Sequence, residues 1–331
     1  MKVSYKLKLR IGSILLLLLI LASVAMIMFG FLPGESLIWG EIQNTGHTIL
    51  FVFITLAFIG LLRYALPPIR NKSIAAYVIT FLALVTVAAL TELGQQLTNR
   101  EPSLADVVRD IAGVLIGLGL FAFADSRLVL VTRRHYRKFR TGTLVFSAVL
   151  LVTSLWPLIH LSHAYVERNQ AFPVIVDFQN DWARSFLEVN NAVLTRAAAP
   201  EGLLKGGVSG DERVALLNLN AGDFPGIVIV EPYPDWSAYK VLEIDLFFPH
   251  SKNMNVMLRI HDKDHNQEYT DRFNRLLELE PGHNNFQIPL RNVEHAPVNR
   301  KMNMQQISGL VLFASNMDNS LDMYPRVMRL R

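Results

Sequence analysis

The sequence predicts a two-part chain: a membrane all-α part with five transmembrane helices, then an all-β antiparallel jelly-roll sandwich. Three observations predict it. Five apolar stretches, each near the ~20 residues that cross a bilayer, lie before residue 165. From about Val174 the apolar residues come instead in short runs separated by Gly, Pro, Asn and Asp. Charge divides at the same place, with net +8 over residues 1–164 and net −4 over residues 165–331, against +4 for the whole. The basic excess belongs to the hydrophobic part, so it points to loops that orient a membrane protein rather than to a nucleic-acid surface. There is no cysteine, which excludes disulfides and thiolate metal sites.

Residues 11–32 follow a short basic start, run longer than a signal-peptide core and lack a small-x-small cleavage site behind them. They read as a retained helix. Further spans are expected at 47–65, 73–95, 104–124 and 143–163, with a linker at 166–173 and the sandwich domain at 174–331. Lys2, Lys6, Lys8 and Arg10 precede the first span, and Arg63, Arg70 and Lys72 lie between the second and third. Arg127, Arg133, Arg134, Arg137, Lys138 and Arg140 lie between the fourth and fifth. These thirteen basic residues on one side face Arg100 with Glu35, Glu41 and Glu101 on the other. The asymmetry predicts a multi-pass protein of the cytoplasmic (inner) membrane, with a cytoplasmic N-terminus and a periplasmic or extracytoplasmic C-terminal domain. The lipid bilayer is thus the first partner expected.

That topology gathers scattered polar residues at one membrane face. Asn44 and His47 open the second span, Glu92 and Gln95 close the third, Arg100 and Ser103 occupy the loop, and Asp106 and Asp110 open the fourth. Ionisable side chains at membrane depth are costly, so such a group invites a functional reading. Asp106, Asp110, Gly113 and Gly117 follow i, i+4, i+7, i+11, a stripe that is polar at the outer end and small below. Two readings stand. Glu92 or Asp106 could pair with Arg100 or Arg109 and pin the helices together. Alternatively the group binds a headgroup, sugar or pyrophosphate, with Arg100 as anion partner and His47, Glu92 and Asp106 as acid–base groups or metal ligands. The absence of an inverted repeat in the spans argues against an ordinary secondary transporter.

On His47, Glu92, Gln95, Arg100, Ser103, Asp106, Asp110 and Gly113 the first part resembles the VanZ-like membrane family, over about residues 10–165. It departs at Gln43 and Asn44, where that family often has Asp-Lys, and at Asp110, where the family has Asn. The resemblance implies a small helical envelope protein, linked in some relatives to glycopeptide-antibiotic resistance, without an established chemistry.

In the second part, candidate strands cover 174–178, 213–219, 226–231, 239–248, 255–262, 275–280, 285–290, 307–314 and 326–330. Pro281-Gly282 and Asn284-Asn285 are turn signals. Many short strands and turns in such a length indicate an antiparallel sandwich. The run Asp235-Trp236-Ser237-Ala238-Tyr239, the segment Asp271-Arg272-Phe273-Asn274, Pro281-Gly282-His283-Asn284 and Ile288-Pro289-Leu290, with Phe178 and Trp182, resemble the carbohydrate-binding-module, galactose-binding-like type of sandwich. Trp182, Trp236, Tyr239 and Phe273 serve either as core or as an aromatic platform under a sugar ring. Arg259, Asp262, Asp271 and Arg272 are the expected hydrogen-bonding partners of its hydroxyls. Such sandwiches often carry a structural calcium, for which Asp177 and Asp181 are the candidates, although calcium wants six to eight oxygens. No other cofactor is expected, and no carboxylate pair has a spacing that marks a glycosidase.

The sequence therefore reads as an envelope protein that engages a cell-surface glycan or its lipid-linked precursor. The alternatives are a membrane-embedded hydrolase or transferase acting on a lipid-linked glycan, and a structural assembly partner.

Overall fold

The computed structural model describes residues 36–65, 73–95, 103–128, 135–203 and 213–331. The span expected at 11–32 and the side chain of Arg100 lie outside these residues. The chain divides into two compact units, Met1–His160 and Leu161–Arg331.

The helices are α1 (Leu37–Ala65), α2 (Ser73–Gln95), α3 (Leu104–Ala124) and α4 (Tyr136–Ala171). All four are long and apolar enough to cross a membrane, the number found among the described residues. The bounds of α2 and α3 are those expected. The other two correct the sequence reading. Helix α1 begins ten residues before the expected 47, because Asn44 bonds the Glu41 carboxylate one turn back (3.2 Å) and satisfies its polar group within the helix. Helix α4 overruns 143–163 at both ends and absorbs most of the linker expected at 166–173. Its flanks are polar but are good helix formers, and Pro173 stops the helix by disfavouring helical backbone at the residue before it. At 36 residues α4 is about 54 Å long, against a hydrocarbon layer of ~30 Å.

Small residues set the spacing of the first unit. A methyl group built on Gly113 would strike the Thr48 carbonyl and lie 2.7 Å from Phe51 Cβ, and one on Gly117 would lie 2.7 Å from Thr55 Cβ. The Gly113/Gly117 stripe of α3 thus faces α1, over a core of Phe51, Ile54, Leu84, Ala88 and Val114. Thr48 Oγ1 donates to the Arg109 carbonyl (3.2 Å) beside that contact, and Ser147 Oγ of α4 donates to the Ile116 carbonyl (3.3 Å). Toward the end of α1, the start of α2 and the close of α3, buried Arg63 and Asp125 pair at 2.6 Å. Tyr77 donates to the same carboxylate at 3.2 Å. Gly113→Ala is expected to destabilise this unit by about 1–3 kcal/mol through overpacking. Gly60→Ala, where a methyl meets nothing within 4 Å, is expected to be neutral or slightly stabilising. Thermal scans of the detergent-solubilised protein compare the two.

Among the described residues the second unit carries eleven strands: β1 (Val174–Asp177), β2 (Leu187–Asn190), β3 (Ala192–Ala198), β4 (Arg213–Leu219), β5 (Gly226–Val230), β6 (Val241–Phe248), β7 (Met254–Asp262), β8 (Phe273–Leu279), β9 (Gly282–Pro289), β10 (Ile307–Phe313) and β11 (Leu321–Leu330). A short helix, α5 (Leu290–Glu294), follows β9. One sheet runs β3-β4-β11-β6-β9 with β1 also on β11, and the other runs β2-β5-β10-β7-β8. Every pairing is antiparallel. Val256, Leu258 and Ile260 alternate with half-buried residues in β7, and Leu242, Ile244 and Leu246 are fully buried at every second position of β6, as the inner faces of packed sheets require; Leu203, Val214, Phe247 and Tyr324 form a further buried cluster. Strand β11 joins β4 through residues 321–323 and β6 through residues 324–330. The Asn284-Asn285 turn expected from the sequence is corrected: both residues lie inside β9. The reversal falls just before it, where Gly282 takes φ +93° and the Asn284 carboxamide bonds Glu280 N (2.9 Å) and Glu280 O (2.8 Å).

The last turns of α4 belong to this unit. The Tyr165 ring meets Phe186 edge-on at 5.0 Å, and its hydroxyl bonds the Glu231 carboxylate. Arg168 Nη1 donates to the Glu231 carbonyl at 2.6 Å.

Candidate functional site

In the first unit, three helices bring three ionisable side chains together. His47 lies in the third turn of α1, Glu92 one turn from the end of α2, and Asp110 in the second turn of α3. Each offers one ligand atom, all within 4.8 Å of one another, and all three residues are buried. His47 Nδ1 and Asp110 Oδ1 are 3.1 Å apart. Glu92 Oε2 accepts from Ser103 N at 3.0 Å, which ties the end of α2 to the cap of α3. Ser103 Oγ in turn accepts from Asp106 N. Asp110 Oδ2 is buried without a hydrogen-bond partner.

Of the residues expected from the sequence, His47, Glu92, Ser103 and Asp110 converge. Asp106 does not join them: it sits one turn nearer the start of α3, partly exposed, and pairs with Arg109 at 2.5 Å. Asn44 bonds Glu41 within its own helix, and Gln95 is the last residue of α2. Both aspartates share one face of α3, and depth separates them.

In the sandwich, the two indoles proposed as a sugar platform are core. Trp236 is fully buried and its indole N–H donates to the Tyr233 carbonyl at 2.7 Å. Trp182 is buried against Phe186. Phe273 is buried too, and the Tyr239 ring stands edge-on to Phe172. Neither indole can present a face to a ligand, because each fills space between apolar neighbours.

The four polar candidates split into two pairs. Asp262 and Asp271 are locked by Arg300, a residue the sequence reading missed. Arg300 Nη1 and Nη2 donate to Asp262 at 2.5 and 2.7 Å. Its Nε and Nη2 donate to Asp271 at 2.5 and 3.0 Å. Backbone N–H groups of Asn303 and Asn266 complete the two carboxylates. The hydrogen bond from Arg300 is the main cause holding Asp271 down to about 2. Burial pushes Asp262 up, but Arg300 and the Asn303 N–H keep it below the usual carboxylate range. The same bonds raise Arg300 further above its ordinary value. These groups hold the loop together and have little left to offer a ligand.

Arg259 and Arg272 are different. Arg259 shares the outer face of the five-stranded sheet with its cross-strand partners Val311 and Asn274. His261 stands one position further on the same face, over Gly309, where any side chain would run into the imidazole. Arg259 Nη2 donates to His265 Nε2 (3.2 Å), and His265 Nδ1–H donates to the Asp271 carbonyl (3.2 Å), which fixes that tautomer. Arg272 stacks over the exposed Tyr269 ring at 5.4 Å. Arg259 Nε, Arg272 Nε and His261 Nδ1 are buried with no hydrogen-bond partner. Burial, then the Arg259 charge, push His261 down to about 4. Burial, then Arg272, lower Arg259. The face is therefore crowded with positive and unsatisfied nitrogen atoms.

The calcium candidates are occupied or open to solvent. Both Asp177 oxygens accept local hydrogen bonds, from Gln179 N (2.9 Å) and Asn180 Nδ2 (2.8 Å). Asp181 is exposed, with Arg196 at 3.5 Å.

No family model matches the chain, and no curated protein matches it. Among solved structures it is similar to an exo-beta-agarase, at 16% identity and a TM-score of 0.38 over 48% of this chain and 24% of that one. It is also similar to a family 11 carbohydrate-binding module from Clostridium thermocellum in complex with a beta-1,3-1,4-mixed-linked tetrasaccharide. There the identity is 13% and the TM-score 0.35, over 47% of this chain and 93% of the module. The chain spans about a quarter of the agarase's length.

Proposed function

We propose that this is an inner-membrane protein whose extracytoplasmic sandwich binds an acidic envelope glycan on the outer face of its five-stranded sheet. The observation that carries it is the pair of guanidinium groups gathered at that face, Arg259 on β7 and Arg272 against the exposed Tyr269 ring. Sugar hydroxyls and carboxylates would bond the guanidinium groups, and a ring face would lie on Tyr269. The membrane-length helices and the one-sided run of basic loops support the placement. The VanZ resemblance fits an envelope role and adds no chemistry to it.

The test is titration of the full-length protein in detergent against carboxylated and neutral polysaccharides. Binding of a carboxylated glycan, weakened about tenfold or more by Arg259→Ala with unchanged melting, is the expected result. A flat response to both classes sinks the reading. The lack of cysteine makes orientation separately testable. A single Asn319→Cys is expected to react with a membrane-impermeant maleimide in intact spheroplasts, and protection until lysis would reverse the topology.

A further inference from the structure

We infer that His47, Glu92 and Asp110 form a divalent transition-metal site within the helical unit. The three residues come from three helices, so the grouping exists only in the folded bundle. Their ligand atoms already lie within 4.8 Å of one another, whereas ligands on a tetrahedral zinc are about 3.4 Å apart. Closing that gap takes shifts on the order of an ångström in side chains.

The independent sign of a ligand is Asp110. Its side chain is fully buried, one oxygen meets His47, and Oδ2 has no hydrogen-bond partner. An ion pair with His47 explains the first oxygen and leaves the second stranded at a cost. A cation between the three residues would use it. Charge points the same way. With His47 protonated, the three groups carry a net −1 in a buried place; with His47 neutral, a divalent cation cancels both carboxylates. Unbalanced charge at membrane depth is what such a site must avoid. Ser103 N holds Glu92 Oε2 in position, the kind of outer contact that orients a ligating carboxylate.

The donor set narrows the metal. One imidazole and two carboxylates suit Zn²⁺ or Mn²⁺, whereas calcium prefers six to eight oxygens and copper(I) prefers sulfur. Three protein ligands leave at least one coordination position for water or an oxygen from a ligand. This inference does not rest on the glycan reading, and a failed glycan titration leaves it standing.

The experiment is equilibrium dialysis of the full-length protein, stripped with chelator in detergent, against Zn²⁺ and, separately, Mn²⁺, with metal per chain read by mass spectrometry. One equivalent of either metal is expected. Asp110→Asn and Glu92→Gln are each expected to weaken binding at least tenfold while helicity by circular dichroism is kept. His163→Asn removes the exposed, helix-adjacent pair with Glu167 and is expected to leave the equivalent in place. No bound equivalent in the folded wild-type protein, or wild-type uptake by folded Asp110→Asn, overturns the assignment. If Asp110→Asn fails to fold, Glu92→Gln and the wild-type measurement decide it.

Discussion

Arg300→Ala is expected to be among the most damaging single changes in the sandwich. It leaves Asp262, whose side chain is fully buried, next to Asp271 with no cation between them. Removing one partner from a buried ion pair typically costs about 3–5 kcal/mol. In a unit of this size that lowers the melting temperature by roughly 6–20 °C. Arg300→Lys is expected to recover only part of it, because an ammonium cannot span two carboxylates with a planar fork. The pH dependence separates an ionic cause from simple loss of packing. In the wild type, Asp271 is held at about 2, below its unfolded value of about 3.9. The unfolded chain then binds more protons between those values, so this contribution is complete above about pH 4 and is lost as pH falls toward 2. In Arg300→Ala the carboxylates repel, and acid relieves them by protonating one. The variant's deficit is therefore expected to shrink between pH 7 and pH 4 in thermal melts of the solubilised protein. A deficit that stays constant with pH would refute the ionic account.

Trp236→Ala is the second large effect, at about 3–5 kcal/mol from loss of a fully buried aromatic side chain. Trp236→Phe keeps most of the apolar volume but leaves the Tyr233 carbonyl without its indole donor, for about 1–3 kcal/mol. The pair also decides between packing and sugar stacking. A core role predicts lower melting temperatures and unchanged glycan affinity in Trp236→Phe at a temperature where it is folded. A platform role predicts the reverse.

Which features could be read from the sequence follows from how local their causes are. Helices α2 and α3 were legible to the residue because polar and turn-forming residues flank uniform apolar runs. The convergence of His47, Glu92 and Asp110 followed from counting spans, since antiparallel neighbours bring such ends together. The different fates of Asp106 and Asp110 were not legible, because one helical turn of depth separates a half-exposed pair with Arg109 from a buried group. Strands β2 and β3 escaped because their residues are short, mixed and largely exposed at a sheet edge. Arg300 could not be foreseen: nothing nearby in sequence marks it, and its partners are 29 and 38 positions away. The same holds for the buried Arg63–Asp125 pair: Arg63 counts in the sequence only as one basic residue of a loop, and its partner lies far along the chain.

Strand β11, the last in sequence order, is the one that holds the six-stranded sheet together. Until it emerges from the ribosome, the β3–β4 and β6–β9 ribbons have nothing to join them, and β4 and β6 present raw edges. Open edges recruit strands from other chains. The nascent sandwich thus passes through a vulnerable interval that closes only with residues 321–330, and a stop codon just upstream would leave two unjoined ribbons facing the five-stranded sheet rather than a slightly shortened domain.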